Sequence, residues 1–282
     1  MEVGTGTVSV FHGILYDLIA MDLLQLVKSK TAEELPESQI KKSSAQIYWS
    51  VQKESRDIRL GNFSRIHESD LELLFELYDE KVFDGAVKKH LIQSGHPLTF
   101  RLSGKMTRAG GKTTREETFD GRRLLTRNYE IAISTTLLFQ TFRNDPQPVI
   151  VTGIHCQDRL QALQRIMEHE IIHLVEMIAW YHSDCYRKRF KSISRRLFGH
   201  SESTHQLTTV DERALSEFGI QVGDLVSFAH EGRRYRGFVN RITKRATILV
   251  PYERGELFSD GKRYAKFYVP IQNLSVEKKS AG

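Results

Sequence analysis

Apolar residues recur at three- and four-residue steps between Gln161 and Tyr181, and no glycine or proline interrupts them. This spacing places the apolar side chains on one face and predicts a single long amphipathic α-helix. The residues that set the pattern are Leu163, Ile166, Met167, Ile171, Leu174, Val175 and Ile178.

Weaker patterns on both sides of this helix predict a mixture of helices and strands. Ser69 followed by Glu72 is typical of a capping box, which predicts a helix that continues to about Phe83. Further elements are predicted at Leu98–Ser103, Tyr129–Ser134, Thr136–Phe142, Pro148–Gly153 and Tyr186–Phe198, the last ending at Gly199. A long helix lying over a small sheet belongs to the α+β class.

The pattern changes after Gly219, where short alternating strands follow one another with polar turns between them. Strands this short and closely spaced predict a small all-β barrel of SH3-like or Tudor-like type. Three segments are therefore expected: an N-terminal extension at 1–65, the main domain at 66–210 and the barrel at 219–276. In the extension, Phe11–Val27 is predicted to form an amphipathic helix, and the polar stretch Thr31–Glu54 to be mobile.

The net charge of +6 is concentrated in the C-terminal quarter. Gly219–Gly282 holds twelve Lys and Arg against six Asp and Glu, and the rest of the chain is balanced. The cations interleave with Tyr235 and Phe238, a mixture that suits phosphate contact together with base stacking. The candidate nucleic-acid-binding residues are Arg233, Arg234, Arg236, Arg241, Lys244 and Arg245. DNA or RNA is one expected partner, and a protein surface is the other, because charge alone carries no sequence specificity.

The small number of cysteines indicates in which cellular compartment the protein is expected. Cys156 and Cys185 are too few for a disulfide framework and favour a reducing, cytoplasmic location. The apolar run from Val8 to Val27 is interrupted by Asp17 and Asp22, and no basic segment precedes it. It lacks the layout of a membrane span or a signal peptide, so a soluble intracellular protein without a membrane partner is expected.

Candidate chemistry lies on the long helix, in the pattern His169-Glu170-Ile171-Ile172-His173. Residues four apart face the same way, so the two histidines present their imidazoles to one point, which is a geometry that Zn²⁺ accepts. Glu170 lies one step round the helix, where it can take a proton from a zinc-activated water. The pattern also arises by chance, and such a histidine pair can be a packed surface pair.

A second candidate is the turn that contains Arg108, Gly110, Gly111 and Lys112. Glycines flanked by basic residues can hold a phosphate group, but the spacing is not that of a P-loop. A flexible turn between two strands is the simpler interpretation.

Four motifs occur in an order similar to that of SprT-like metalloproteases. They are LYDEKVFDG at 77–85, FRLSGKMTRAGGKTT at 100–114, YEIAIS at 129–134 and the HEIIH helix. The resemblance covers residues 66–207 and implies a zincin-type domain with one catalytic zinc; in the eukaryotic branch called Spartan it implies cleavage of proteins crosslinked to DNA. By position, His169 and His173 resemble the zinc ligands and Glu170 the catalytic base. The C-terminal barrel resembles that of KOW-type nucleic-acid-associated modules.

The third zinc ligand is where the sequence departs from the family, which usually supplies a histidine from an H-G-x-x-F segment. Alignment on Phe190 puts Tyr186 at that position. His182 is the predicted ligand, although on an unbroken helix it would lie about 13 Å beyond His173 unless the chain doubles back. The alternatives are Cys185, His200 and His205. Each also has a structural interpretation, as a helix cap, a small buried residue or surface histidines near a turn.

The expected function is therefore that of a zinc-dependent metallopeptidase that acts on proteins, with proteins associated with or crosslinked to DNA as one candidate class of substrate. Glu170 is the expected base, Glu176 a partner behind the ligands, and the strand Tyr129–Ser134 a site where substrate backbone adds as a further strand. The alternative is a non-catalytic nucleic-acid- or transcription-associated protein whose zinc is structural or absent. Hydrolysis of a non-peptide bond is a third hypothesis.

Overall fold

The computed structural model describes residues 22–142, 149–243 and 245–277 of the chain. The chain divides into two compact units between Leu207 and Thr208. Helices and sheets occur together, so the predicted α+β class is confirmed. No helix in the described residues is both long enough and apolar enough to cross a membrane.

The first unit contains helices at both ends of its sequence and strands between them. Its helices are α1 (22–30), α2 (Glu37–Glu54), α3 (Glu68–Phe83), α4 (Ala86–Ser94), α5 (Thr135–Thr141), α6 (Arg159–Trp180) and α7 (Lys188–Phe198). Its strands are β1 (Leu98–Ser103), β2 (Gly111–Asp120), β3 (Arg123–Ser134), β4 (Val149–Val151) and β5 (Ile154–Cys156). The elements predicted from residue 67 to residue 199 are confirmed, with shifts of one or two residues at most ends and a longer third strand.

The main sheet has three strands in the order β1-β3-β2. The central strand β3 pairs in parallel with β1 and antiparallel with β2. The expectation that Tyr129–Ser134 accepts a substrate strand is wrong, because both edges of β3 are already hydrogen-bonded inside the sheet. The edges of this sheet are β1 and β2.

The long helix α6 is the central element of the first unit. It begins after Asp158, whose side chain accepts a hydrogen bond from the backbone N–H of Gln161 at 2.9 Å. Its apolar face is buried against the sheet and the other helices, as the periodicity predicts. It ends at Trp180 because Tyr181 adopts a left-handed conformation with φ of 57°.

The N-terminal helices belong to the same core. Ile47 and Val51 of α2 are fully buried, and Leu23 and Val27 of α1 join them in the cluster that contains the apolar face of α6. The polar stretch Thr31–Glu54, expected to be mobile, is thus largely helical, with Ile47 and Val51 facing inward and Trp49 exposed. The predicted helix Phe11–Val27 lies mostly outside the described residues.

The start of α3 differs from the prediction by two residues. The side chain of His67 accepts from the backbone N–H of Ser69, and Asp70 accepts from the backbone N–H of His67 at 2.7 Å. The capping box is therefore formed by His67 and Asp70, since an imidazole nitrogen accepts here in place of the expected serine hydroxyl.

The second unit consists of α8 (Val210–Phe218) and a five-stranded antiparallel sheet. Its strands are β6 (Leu225–His230), β7 (Arg233–Ile242), β8 (Ala246–Leu257), β9 (Arg263–Val269) and β10 (Ser275–Val276), in the order β10-β6-β7-β8-β9. Apolar residues of α8 and of the strands form a separate core. The short alternating strands predicted from Val222 onward are confirmed.

Candidate metal centre

The two histidines of the α6 motif face each other. Their Nε2 atoms lie 3.1 Å apart, and both side chains are half-buried. Two imidazole nitrogens on one tetrahedral zinc ion lie about 3.3 Å apart, so the observed spacing fits a shared ion. Burial lowers the pKa of His169 to about 3, which keeps its ring neutral and its lone pair available.

The segment after α6 brings a third donor to this pair. The sulfur of Cys185 and one ring nitrogen each of His169 and His173 all lie within 4.8 Å of one another. The chain reaches this position because it reverses at Tyr181, and Arg115 fixes the reversal by donating to the carbonyl of Tyr181 at 2.9 Å. Nitrogen, nitrogen and sulfur are donors that suit zinc, so the residues fit the metal that the sequence predicts.

A chain of hydrogen bonds lies behind His173. Its Nδ1 is 2.7 Å from the hydroxyl of Ser183, which donates to Glu176 at 2.7 Å. Glu176 is fully buried and accepts from Arg189 through its other oxygen at 2.5 Å. Because Ser183 donates to the carboxylate, His173 must donate through Nδ1, which leaves its Nε2 lone pair for a metal. Glu176 thus lies behind the candidate ligand His173 and is linked to it through Ser183.

His169 is oriented differently. Its Nδ1 is buried without a hydrogen-bond partner among the described residues. The ring of Phe190 lies against both imidazoles, with centroid distances of 4.8 Å to His169 and 4.6 Å to His173. Packing against this phenyl ring therefore replaces a hydrogen bond in setting the orientation of His169.

Glu170 lies beside the pair, between α6 and the start of β2. The hydroxyl of Thr113 is 2.8 Å from its Oε2 and 3.0 Å from its backbone carbonyl oxygen. Burial raises the pKa of Glu170 to about 7, although the hydrogen bond from Thr113 lowers it. A carboxylate of this kind can accept and release a proton near neutral pH.

Gly111 makes room for this carboxylate. A Cβ atom at Gly111 would lie 2.6 Å from both Cγ and Oε1 of Glu170, which is closer than real Cβ contacts allow. At the preceding position, the backbone N–H of Gly110 donates to Nε2 of His205 at 3.0 Å. The glycine pair therefore allows a strand to approach α6 closely, and the N–H of Gly110 is already engaged by a side chain.

A cleft of about 310 Å³ opens onto the site and is lined by His169, Glu170, the glycine turn, Tyr186 and the segment around His205. The β4–β5 turn forms another part of its wall. Thr152 in this turn has a positive φ of 54°, and its backbone is bonded to Ser201 and Thr204. These bonds fix the segment after α7 against the hairpin and give the cleft a rigid wall.

The other candidate ligands lie elsewhere. His182 is exposed and is not in the group of three donors, although its carbonyl accepts from Arg189. His200 is buried on another side of α6, where its Nε2 is 2.7 Å from Glu168. His205 lines the cleft and bonds to the glycine turn. Of the four candidate third ligands, Cys185 is the one that lies beside the histidine pair.

Two residues that contact the candidate site residues, Thr113 and Ser183, were not identified from the sequence. Thr113 is separated by one residue from Gly111 on β2, and strand alternation turns both towards Glu170. Ser183 carries no comparable signal, because its position depends on the reversal at Tyr181.

The predicted basic residues of the second unit do not form one continuous surface together with the predicted aromatic residues. Arg234 and Arg236 share the outer face of β7 with Phe238, whereas Tyr235 turns inward and packs against other aromatic rings. The ring of Tyr235 thus lies on the opposite face of the strand from the side chains of these arginines, because adjacent strand residues face opposite ways. Arg234 contacts Ser227, and Arg236 pairs with Glu277. Arg233, Arg241 and Arg245 are exposed, and Lys244 lies outside the described residues.

Comparisons of the chain with models of protein families, with curated proteins and with solved structures find no match. Any function assigned to this site therefore depends on its own geometry and chemistry.

Proposed function

We propose that the protein is a metal-dependent peptidase, with a zincin-like first unit of SprT-like type and zinc as its metal. The observation that carries this proposal is the convergence of His169, His173 and Cys185 beside Glu170. Three protein ligands leave a fourth tetrahedral position for water or substrate, as in catalytic zinc sites. A structural zinc would instead be closed by four protein ligands.

The residues have separate roles in this proposal. His169, His173 and Cys185 would hold the ion, which when bound polarises the scissile carbonyl and activates water. Glu170 takes the proton of the attacking water and passes it to the leaving amine. Thr113 keeps the carboxylate of Glu170 in place at 2.8 Å.

The edge strand β2 replaces β3 as the expected partner of the substrate backbone. It starts at the cleft with Gly111, and its outer edge pairs with no strand among the described residues. We infer that an extended segment of substrate adds to this edge, where main-chain hydrogen bonds give affinity and little sequence preference.

The experiment compares peptide hydrolysis and zinc content of the full-length wild type with those of Glu170→Gln. We expect the substitution to lower kcat by roughly 10²–10⁴-fold with zinc retained, because only the proton acceptor is lost. Glu80→Gln, an exposed change on α3, is the matched control and should behave as wild type. Undiminished activity in Glu170→Gln, or four protein ligands around zinc by X-ray absorption, would refute the proposal.

For the second unit we propose an SH3-like barrel that contacts DNA or RNA. Arg241 and Arg245 are exposed cations outside any described ion pair, and Phe238 and Tyr268 expose 44 and 64 % of their surface. Cations and exposed rings suit phosphate contact and base stacking. A peptidase with such a unit would act on proteins bound or crosslinked to nucleic acid. The cytoplasmic location remains a prediction based on the cysteines.

A further inference from the structure

Arg108 is a cation in the wall of the candidate active-site cleft. It lines this cleft together with His169 and Glu170, and it is exposed. Its guanidinium makes no hydrogen bond or ion pair with any described residue, in contrast to Arg115 and Arg189 nearby. An arginine with free donors beside the reacting groups is available to a ligand.

The surroundings of Arg108 are positive as well. The segment 104–114 contains Lys105, Arg108 and Lys112 but neither Asp nor Glu, and both lysines are exposed. Among the residues that line the cleft, Glu170 has the one carboxylate, and Ser203 and Thr204 add hydroxyl groups. A group that enters this cleft therefore meets hydrogen-bond donors and an arginine that is paired with no described carboxylate.

We propose that Arg108 selects protein substrates that carry an acidic side chain close to the scissile bond. This inference rests on the proposed peptidase function and names a specificity for its site. A carboxylate matches the planar guanidinium, which can donate two parallel hydrogen bonds to its oxygens. Arg108 does not touch the reacting atoms in this arrangement, so it is a specificity-determining residue and not a catalytic one.

A nucleic-acid phosphate is the other anion to consider. Binding a strand without sequence preference needs a positive groove that follows the backbone over several nucleotides. Arg108 is instead one cation in a cleft whose other functional groups, Glu170 and the histidine pair, suit hydrolysis of a peptide bond. The position of the charge thus favours an acidic residue of the substrate itself.

The experiment uses three fluorescent peptides that differ at one position next to the cleaved bond, where they carry Glu, Gln or Lys. The ratio of kcat/KM for the Glu and Gln peptides is measured for wild type, Arg108→Gln and Arg108→Glu, with Lys89→Gln as an exposed control on α4. Binding of the same peptides is measured by fluorescence anisotropy with zinc-loaded Glu170→Gln protein, with and without Arg108→Gln.

Wild type and Lys89→Gln should prefer the Glu peptide by about tenfold, which corresponds to about 1.4 kcal/mol. Arg108→Gln should reduce the ratio to about one. Arg108→Glu should reduce it below one and should raise kcat/KM of the Lys peptide above that of the Gln peptide. An unchanged ratio in Arg108→Gln would overturn the inference, as would displacement of the peptide by a short single-stranded oligonucleotide whose binding also requires Arg108. If no variant cuts any peptide, the peptidase proposal fails, while the binding measurements still decide the role of Arg108.

Discussion

Nδ1 of His173 lies 2.7 Å from the hydroxyl of Ser183, although the two residues belong to different elements, α6 and the segment that follows it. Ser183 in turn donates to the buried carboxylate of Glu176. This relationship fixes both the orientation and the tautomer of His173, since only its Nδ1 can carry the proton.

Ser183→Ala should weaken metal binding. The imidazole of His173 loses its acceptor, and partners of this kind typically change metal affinity by about 10–100-fold. Competition of the zinc-loaded protein with a chelator measures the change. Ser192→Ala, an exposed change on α7, is the control and should leave the affinity unaltered. Equal affinities in the two variants would show that Ser183 does not support His173.

Cys185→Ala should lower the zinc content of the purified protein, because one of three donors is lost, whereas Cys185→His should restore much of it. After cobalt substitution, wild type should show a thiolate-to-metal absorption band that both variants lack. The control is Cys156→Ala, whose thiol is fully buried and lies outside the donor group. An unchanged band in Cys185→Ala would assign the third position to another residue.

Gly111→Ala should lower peptidase activity by at least about tenfold while zinc stays bound. The new methyl group would meet the carboxylate of Glu170 at 2.6 Å and displace it; even small misplacements of catalytic groups are costly. Gly110→Ala is the neighbouring comparison, since its methyl group would meet the flexible side chains of Ile166 and Leu207 at 3.2 Å. Equal activity losses in both variants would point to general damage of the turn.

His200→Ala should destabilise the first unit by about 3 kcal/mol and leave its zinc content unchanged. His200 bonds to Glu168, a buried carboxylate that also accepts from Tyr78 and pairs with Arg165. Denaturant unfolding together with metal analysis separates the two effects. His155→Ala, at an exposed site, should stay within about 0.5 kcal/mol of wild type. Loss of zinc in a folded His200→Ala protein would reinstate His200 as a ligand.

The double change Arg241→Gln and Arg245→Gln should weaken binding of single-stranded nucleic acid to the full-length protein. Each lost phosphate contact should reduce the slope of log K against log salt by about 0.7. Titrations of a labelled oligonucleotide at several salt concentrations measure this slope. Lys262→Gln, an exposed cation of the same unit, is the control. An identical slope in the double variant would remove these arginines from the proposed interface.

The elements that periodicity alone determines could be predicted from the sequence. The helix that carries His169 and His173 is found where the spacing of apolar residues places it, and its neighbour α7 ends at Gly199, which has a φ of 71°. Local pattern is sufficient in these cases, because each element has one apolar face and a clear end.

The third donor could not be predicted in the same way. Cys185 reaches the histidine pair because Tyr181 adopts a left-handed backbone conformation that is unusual for a tyrosine, and Arg115 holds the reversed chain. Both are tertiary effects that leave no local signal. The helical character of Thr31–Glu54 gives a weak sequence signal for a related reason, since Ile47 and Val51 are its only buried apolar residues.

The loop after Tyr181 contributes to the proposed metal centre twice, through the thiol of Cys185 and through the hydroxyl of Ser183, which contacts the candidate ligand His173 from behind. This one short segment thus provides both a metal donor and a hydrogen bond to a second donor. An ion bound there must also restrict the motion of the segment. By linkage, whatever loosens the loop weakens the ion's affinity by the same free energy, and removal of the ion releases the loop. Opening of the loop, which gives access to the centre, and dissociation of the ion are therefore coupled in a single local equilibrium.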